Sequence, residues 1–266
     1  MSKKIILLAG PTASGKSKLA FLLSKKIGGE IINADSMQVY KEFFILSSRP
    51  GKKEMKKIRH HLYGFISVKK NFSTGDWLKE VKKKINRCHK DRKVPIIVGG
   101  TGLYFNAITR GISKIPSIDI QTRSKVRNLF LKLGHKDFYK KLLKIDPKVR
   151  NKILSTDSQR VQRAYEVILK TKKSLFDWII NTKSDFLNFE LKKIFLEIPR
   201  EELLKRISSR TDDMFKNNCV AEVKKFNLLR LNTTLSANKL IGVKEINDYL
   251  KGSISLNQCK ELINIK

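Results

Sequence analysis

The chain reads as an α/β fold, a parallel sheet with helices on both faces, carrying an inserted all-helical domain. Three observations predict it. Short apolar runs at residues 5–9, 30–33 and 95–98 each lead into a turn and then into helical spacing. Between about residues 116 and 189 only helical periodicity is found. A strand-like run then returns at 193–198, closed by Pro199. Strands alternating with helices need crossovers that keep the strands parallel. At 266 residues the chain can bury a sizeable core as one large domain or two modest ones. The expected division is 1–112 plus 192–266 for the sheet core and 113–191 for the helical insertion.

In chain order, Ile5-Ile6-Leu7-Leu8-Ala9 suits a buried parallel strand. Gly10-Pro11-Thr12-Ala13-Ser14-Gly15-Lys16-Ser17 follows, a complete G-x-x-x-x-G-K-[ST] phosphate loop. Leu19, Ala20, Leu22, Leu23 and Ile27 then recur at helical spacing, stopped by Gly28-Gly29. Strand, loop and helix in this order make a polyphosphate site of the P-loop NTPase type. The loop N–H groups turn inward, the helix N-terminus adds partial positive charge and Lys16 a full one. The Ser17 hydroxyl is placed to ligate Mg²⁺.

Glu30-Ile31-Ile32-Asn33 is a short strand ending at Asp35, whereas residues 51–61 are basic and polar. Phe72–Trp77 starts a helix striped by Trp77, Leu78, Val81 and Ile85. Pro95-Ile96-Ile97-Val98 is a buried strand running into Gly99-Gly100-Thr101-Gly102. Ligands of open parallel sheets bind at the carboxyl ends of the strands. The loop, Asp35 and Gly99–Thr101 all follow strands, so they are expected in one crevice. For Asp35 the residues leave general base, metal and structural-cap roles open. Ser36 and Gln38 are short polar groups able to read a base edge. The glycines at 99–102 suit either close approach to a ligand or a tight turn, and Thr101 adds a hydroxyl there.

In the helical block Phe138, Leu142 and Leu143 form one stripe, and Val161, Ala164, Tyr165 and Ile168 another. Thr156-Asp157-Ser158 starts a helix whose Gln159, Arg160 and Arg163 share the opposite face. Such a face suits nucleic-acid contact or plain solvation. Arg206, Arg210 and Met214 recur every four residues after the 193–198 run, suiting a pyrophosphate clamp or a solvated helix surface.

The 57 Lys+Arg against 24 Asp+Glu leave a net charge of +33, a field that attracts polyanions, nucleic acid above all. Scattered lysines would give the same sum without a footprint. Cys88, Cys219 and Cys259 lie far apart with no C-x-x-C pair, which argues against a zinc site or disulfide framework. His60-His61 is the only histidine cluster, with nothing nearby in sequence to complete a metal set. No apolar stretch approaches the roughly 18–20 residues of a membrane span. The N-terminus enters the first strand directly, without a signal peptide. A cytoplasmic monomer is expected, with no membrane partner.

These pieces in this order resemble the tRNA dimethylallyltransferases, or tRNA isopentenyltransferases. The matching stretches are Gly10–Ser17, Asn33–Tyr40, His60-His61-Leu62, Phe72–Trp77, Val98–Phe105, Asp146-Pro147 and Asp157–Val167. Arg206-x-x-x-Arg210-x-x-x-Met214, Gly242-Val243 and Tyr249-Leu250-x-Gly252 continue the likeness over nearly the whole chain. The resemblance implies that the loop holds the diphosphate of dimethylallyl diphosphate with Mg²⁺ rather than hydrolysing a nucleotide. The prenyl group would go to N6 of the adenosine just 3′ of the anticodon in tRNA. It further implies Asp35 as general base, and Thr101 and Arg210 at the diphosphate. Contacts to tRNA would come from Asp35, Ser36, Met37, Gln38, Thr101, Arg123, Gln159, Arg160, Val161, Gln162 and Arg163.

The sequence departs from the family pattern in two places. Leu46-Ser47-Ser48-Arg49-Pro50 stands where a Gly-Thr-Ala-Lys-Pro-like run is usual. The sequence also stops at Lys266, before the Lys-Arg-Gln-x-Thr-Trp segment that the resemblance leads one to expect. A P-loop small-molecule kinase and a nucleotide-controlled RNA-binding protein are the rival expectations.

Overall fold

The computed structural model describes residues 3–232 and 235–266. The chain divides into two compact units, Met1–Ile108 with Asn188–Lys266, and Thr109–Leu187.

The first unit is built on five parallel strands: β1 (Lys4–Ala9), β2 (Gly29–Asn33), β3 (His60–His61), β4 (Val94–Gly99) and β5 (Glu190–Phe195), in the order β3-β2-β4-β1-β5. Register follows the apolar runs, with Ile6 opposite Ile96, Leu8 opposite Val98 and Ile31 opposite Ile96. Helix α1 (Lys16–Ile27) covers the face carrying Ile6, Leu8, Ile31, Ile96 and Val98. Because side chains alternate, Ile5, Leu7, Ile32 and Ile97 point to the other face. Helix α3 (Thr74–Lys90) packs on β2 and β4 and buries Trp77, Val81 and Ile85. Its start is fixed by a capping box in which Ser73 and Asp76 exchange side-chain to backbone bonds.

One reading of the sequence needs correction here. The strand expected at 193–198 lies at Glu190–Phe195, because its backbone is matched to β1 from Lys4↔Glu190 to Ala9↔Phe195. Residues 192–195 are exposed, so apolar character was no guide to the ends of this edge strand. The basic stretch 51–61 holds a short helix, α2 (Lys52–Lys57), and β3.

Helix α4 (Gly102–Thr109) follows β4. In the second unit α5 (Ile120–Ile145), kinked at Gly134, packs on α6 (Ser158–Thr171), and α7 (Leu175–Ile180) follows. Its core joins Val126, Phe138, Leu142, Val149, Val161 and Tyr165. Back in the first unit, α8 (Arg200–Lys216), α9 (Cys219–Asn227), α10 (Val243–Leu250) and α11 (Leu256–Ile265) pack around a second core that takes in Val39, Tyr40, Phe43 and Leu46. Among the described residues no helix is long and apolar enough to cross a membrane.

Candidate active site

The phosphate loop leaves β1 and enters α1 through Gly15, whose φ of 84° is a left-handed conformation open to glycine. Residues Thr12 to Ser17 form one wall of a cavity of about 170 Å³. The other walls come from Asp35 and Gln38 after β2, Ser47 and Ser48, Tyr63 after β3, Val98 and Gly99 at the end of β4, and Arg210 on α8. The carboxyl ends of four strands therefore meet, as the sheet topology requires.

Asp35 is held by a local turn. Its Oδ1 accepts the N–H groups of Met37 at 2.9 Å and Gln38 at 3.3 Å, and its own N–H donates to Asn33 Oδ1 at 2.9 Å. These bonds fix the carboxylate from one side. Asn33 is itself buried and donates to the carbonyls of Asp35 and Leu62. The Trp77 indole donates to Asn33 O at 2.9 Å, so α3 braces the same strand end.

Arg210 is brought to the loop by α8. Its Nη1 donates to Thr12 Oγ1, and its Nε to Ser48 Oγ at 2.9 Å. Lys16 Nζ donates to Pro11 O at 2.8 Å. Burial holds Lys16 below the ordinary lysine range, with Asp35 opposing the shift and Arg210 adding to it. Burial likewise lowers Arg210, against the pull of Asp35. Two partly desolvated cations and a helix N-terminus face a single carboxylate, so the cavity favours a polyanion. Ser14 Oγ is buried and makes no hydrogen bond, a donor that a phosphate oxygen would satisfy.

Several expected residues stand elsewhere or act differently. Gly99 is needed for the chain itself as well as lining the cavity: a Cβ there would lie 2.1 Å from Ala34 O. Thr101 accepts the Ser36 N–H at 2.9 Å and donates to Ser36 Oγ at 3.3 Å. Arg206 is ion-paired with Glu202 at 2.5 Å, which leaves Arg210 as the arginine on the cavity wall. In the helical unit Arg123, Gln159 and Arg160 are exposed, and Arg160 pairs with the cap residue Asp157 at 3.3 Å. Gln162 and Arg163 are half-buried, Arg163 pairing with Glu166 at 3.2 Å. Val161 is fully buried in that unit's core, so its side chain does not share the exposed face.

Tyr63 was not singled out in the sequence, although it follows a strand and lines the cavity. The only signal was its place after His60-His61-Leu62, and a two-residue strand carries almost no periodicity. Burial, helped by the charges of Asp35 and Glu54, pushes its phenol well above the ordinary tyrosine range. It stays protonated.

The fold also brings two residues distant in the sequence to His61. Glu30, His61 and Cys88 are all buried, with ligand atoms within 4.8 Å of one another. His61 Nε2 lies 2.6 Å from Glu30 Oε2, and the Cys88 thiol donates to the same oxygen at 3.6 Å. Burial above all, with Glu30 adding to it, pushes the thiol up to about 12, while burial lowers His61. The cluster is a hydrogen-bonded one in which the thiol keeps its proton.

The profile of the family described as IPP transferase matches residues 38–266. The chain is 50% identical over 263 residues to a tRNA dimethylallyltransferase of Pelagibacter ubique (strain HTCC1062), covering 99% of this chain and 84% of that one. It is 41% identical over 265 residues to a tRNA dimethylallyltransferase of Rickettsia massiliae (strain Mtu5), covering 99% and 73%. Among solved structures, a eukaryotic dimethylallyltransferase acting on tRNA superposes with a TM-score of 0.85 at 28% identity, over 99% of this chain and 67% of that one. The full-length tRNA isopentenylpyrophosphate transferase of Bacillus halodurans gives a TM-score of 0.69 at 30% identity, over 98% and 82%.

Proposed function

We propose, from the premise that the chain belongs to the tRNA dimethylallyltransferase family, that it transfers a dimethylallyl group from dimethylallyl diphosphate to tRNA. The acceptor is N6 of the adenosine 3′-adjacent to the anticodon. The observation that carries this reading is that the Asp35 carboxylate shares one cavity with the phosphate loop and Arg210. A carboxylate facing a diphosphate cradle suits an acceptor that must lose a proton as the diphosphate leaves.

In this reading the loop N–H groups, Lys16 and Arg210 neutralise the charge that builds on the departing diphosphate. Thr101 contributes by holding the Ser36 backbone, next to Asp35 in the chain. Asp35 takes the N6 proton as the new C–N bond forms. Its orientation, pre-set by the Met37 and Gln38 amides, avoids an ordering cost at the moment of reaction. An aromatic amine is a weak nucleophile, so such positioning supplies much of the rate. Ser17 lines the same cavity and offers a hard oxygen donor that fits Mg²⁺. When bound, that ion would supply further charge neutralisation at the diphosphate.

The anticodon arm would present its adenosine extruded from the stack. Arg123, Gln159, Arg160, Gln162 and Arg163 are proposed as tRNA contacts of the helical unit, together with Ser36, Met37 and Gln38 of the sheet unit. The test is direct. Protein, dimethylallyl diphosphate, Mg²⁺ and an anticodon stem-loop bearing that adenosine should give a product heavier by one C5 unit. Robust ATP turnover with no prenyl transfer would overturn the reading in favour of a kinase or nucleotide switch.

A further inference from the structure

We propose that Glu222 is a positioning residue for this cavity: its carboxylate fixes the segment 44–48 and, through it, the orientation of both Arg210 and Gln38. This deepens the proposed reaction and rests on it for the chemical meaning of the two oriented side chains.

Glu222 lies in the first turn of α9, away from the cavity lining. Its Oε1 accepts the N–H groups of Phe44 at 2.6 Å and Ile45 at 3.0 Å, and its Oε2 that of Leu46 at 2.8 Å. Three consecutive amides on one carboxylate form a nest whose anion is supplied by the chain itself. Leu46 anchors the segment in the core beneath, with 3% exposure. The next two residues are the cavity wall. Ser48 Oγ accepts from Arg210 Nε, while Ser47 O and Ser48 O accept from Gln38 Nε2 at 2.9 and 3.2 Å.

One carboxylate thereby sets a group on each side of the reaction. On the diphosphate side, Arg210 is tethered at Ser48 with its guanidinium on Thr12 of the loop. On the acceptor side, two carbonyls define which end of the Gln38 amide is nitrogen, since a flipped amide would set oxygen against oxygen. Gln38 then has only its carbonyl oxygen to offer a ligand, an acceptor complementary to an exocyclic amine and not to a base carbonyl. Removing Glu222 leaves three amides to find new partners and frees the segment that holds both side chains.

The experiment is titration calorimetry with inorganic pyrophosphate and Mg²⁺ on the full chain, with thermal unfolding recorded in parallel. Glu222→Ala is expected to weaken pyrophosphate binding about tenfold. Glu222→Gln, which keeps one acceptor oxygen for two of the amides, should lose about threefold and carries the test if the alanine variant does not fold. Loss from Glu222→Ala and Arg210→Ala together should be much less than additive, because one acts through the other. Binding of stem-loops bearing adenosine or inosine should also lose its discrimination in the Glu222 variants. Unchanged pyrophosphate affinity in a folded variant, or fully additive losses, overturns the proposal. Wild-type protein that binds pyrophosphate yet transfers no prenyl group removes the proposed reaction and leaves the Glu222–Arg210 arm standing.

Discussion

Asp35 and Lys16 share the cavity wall but are prepared in different ways: the carboxylate is aimed by backbone amides, and the ammonium is partly stripped of water. Replacing Asp35 with Asn preserves shape and removes the proton acceptor. Prenyl transfer should fall by about 100-fold or more in kcat, with pyrophosphate binding retained, as single-turnover kinetics would show. Lys16 makes a pH prediction. Its proton is lost below the ordinary lysine value, so pyrophosphate affinity should be full below that lowered value and decline as pH rises through it. Lys16→Met should bind more weakly and lack this alkaline limb. A wild-type affinity that stays flat until the ordinary lysine range would contradict the role given to burial. Both residues stood out in the sequence, because a phosphate loop is contiguous and a carboxylate after a buried strand is a local pattern. Glu222 and Tyr63 did not, since each gains its meaning from partners distant along the chain.

Among the elements, the sheet tolerates little change where β2 and β4 end. A methyl group on Gly99 would overlap the Ala34 carbonyl. Gly99→Ala should therefore cost about 4 kcal/mol or more, read as loss of soluble protein or a large fall in Tm. Trp77→Phe removes the indole bond to Asn33 O and part of a stack on Tyr104 at 4.0 Å between centroids. It should cost about 1–2 kcal/mol in chemical denaturation, and more would implicate the stack beyond its area. The amino end of the sheet holds the Glu30–His61–Cys88 cluster. The folded-state pKa of His61 is lowered, so the folded protein resists protonating it. Stability from this group is full above the ordinary histidine value and is lost as pH falls below it, and His61→Gln should flatten that part of a Tm–pH curve. Strands β1, β2 and β4 were legible because buried parallel strands are continuous apolar runs. The two edge strands were misplaced or missed: β3 is two residues long, and β5 is set by pairing with β1 while its side chains stay exposed.

For the whole molecule, a charge of +33 makes binding to tRNA an electrostatic question. If about five phosphates are neutralised, the log–log slope of affinity against salt should be roughly −4. A slope near zero would mean that the excess lysine is unrelated surface charge. The helical unit's Arg123→Ala and Arg160→Ala variants should each lessen that slope by nearly one unit without changing pyrophosphate affinity. Such a split would assign RNA contact and diphosphate contact to different parts of the chain.

The sequence by itself determined the phosphate cradle, the alternation that makes a parallel sheet and the block of helices within it. Each rests on residues adjacent in the chain or at a fixed period, where local geometry decides the outcome. Only the tertiary structure decided that Arg210 lines the cavity while Arg206, beside Gly15, is paired with Glu202, that Gly99 must pass close to the Ala34 carbonyl, and that Glu222 holds the wall bearing Ser47 and Ser48. Those choices depend on how α8 and α9 pack and on which carboxylate finds which free amide. No period or spacing in the chain records such pairings.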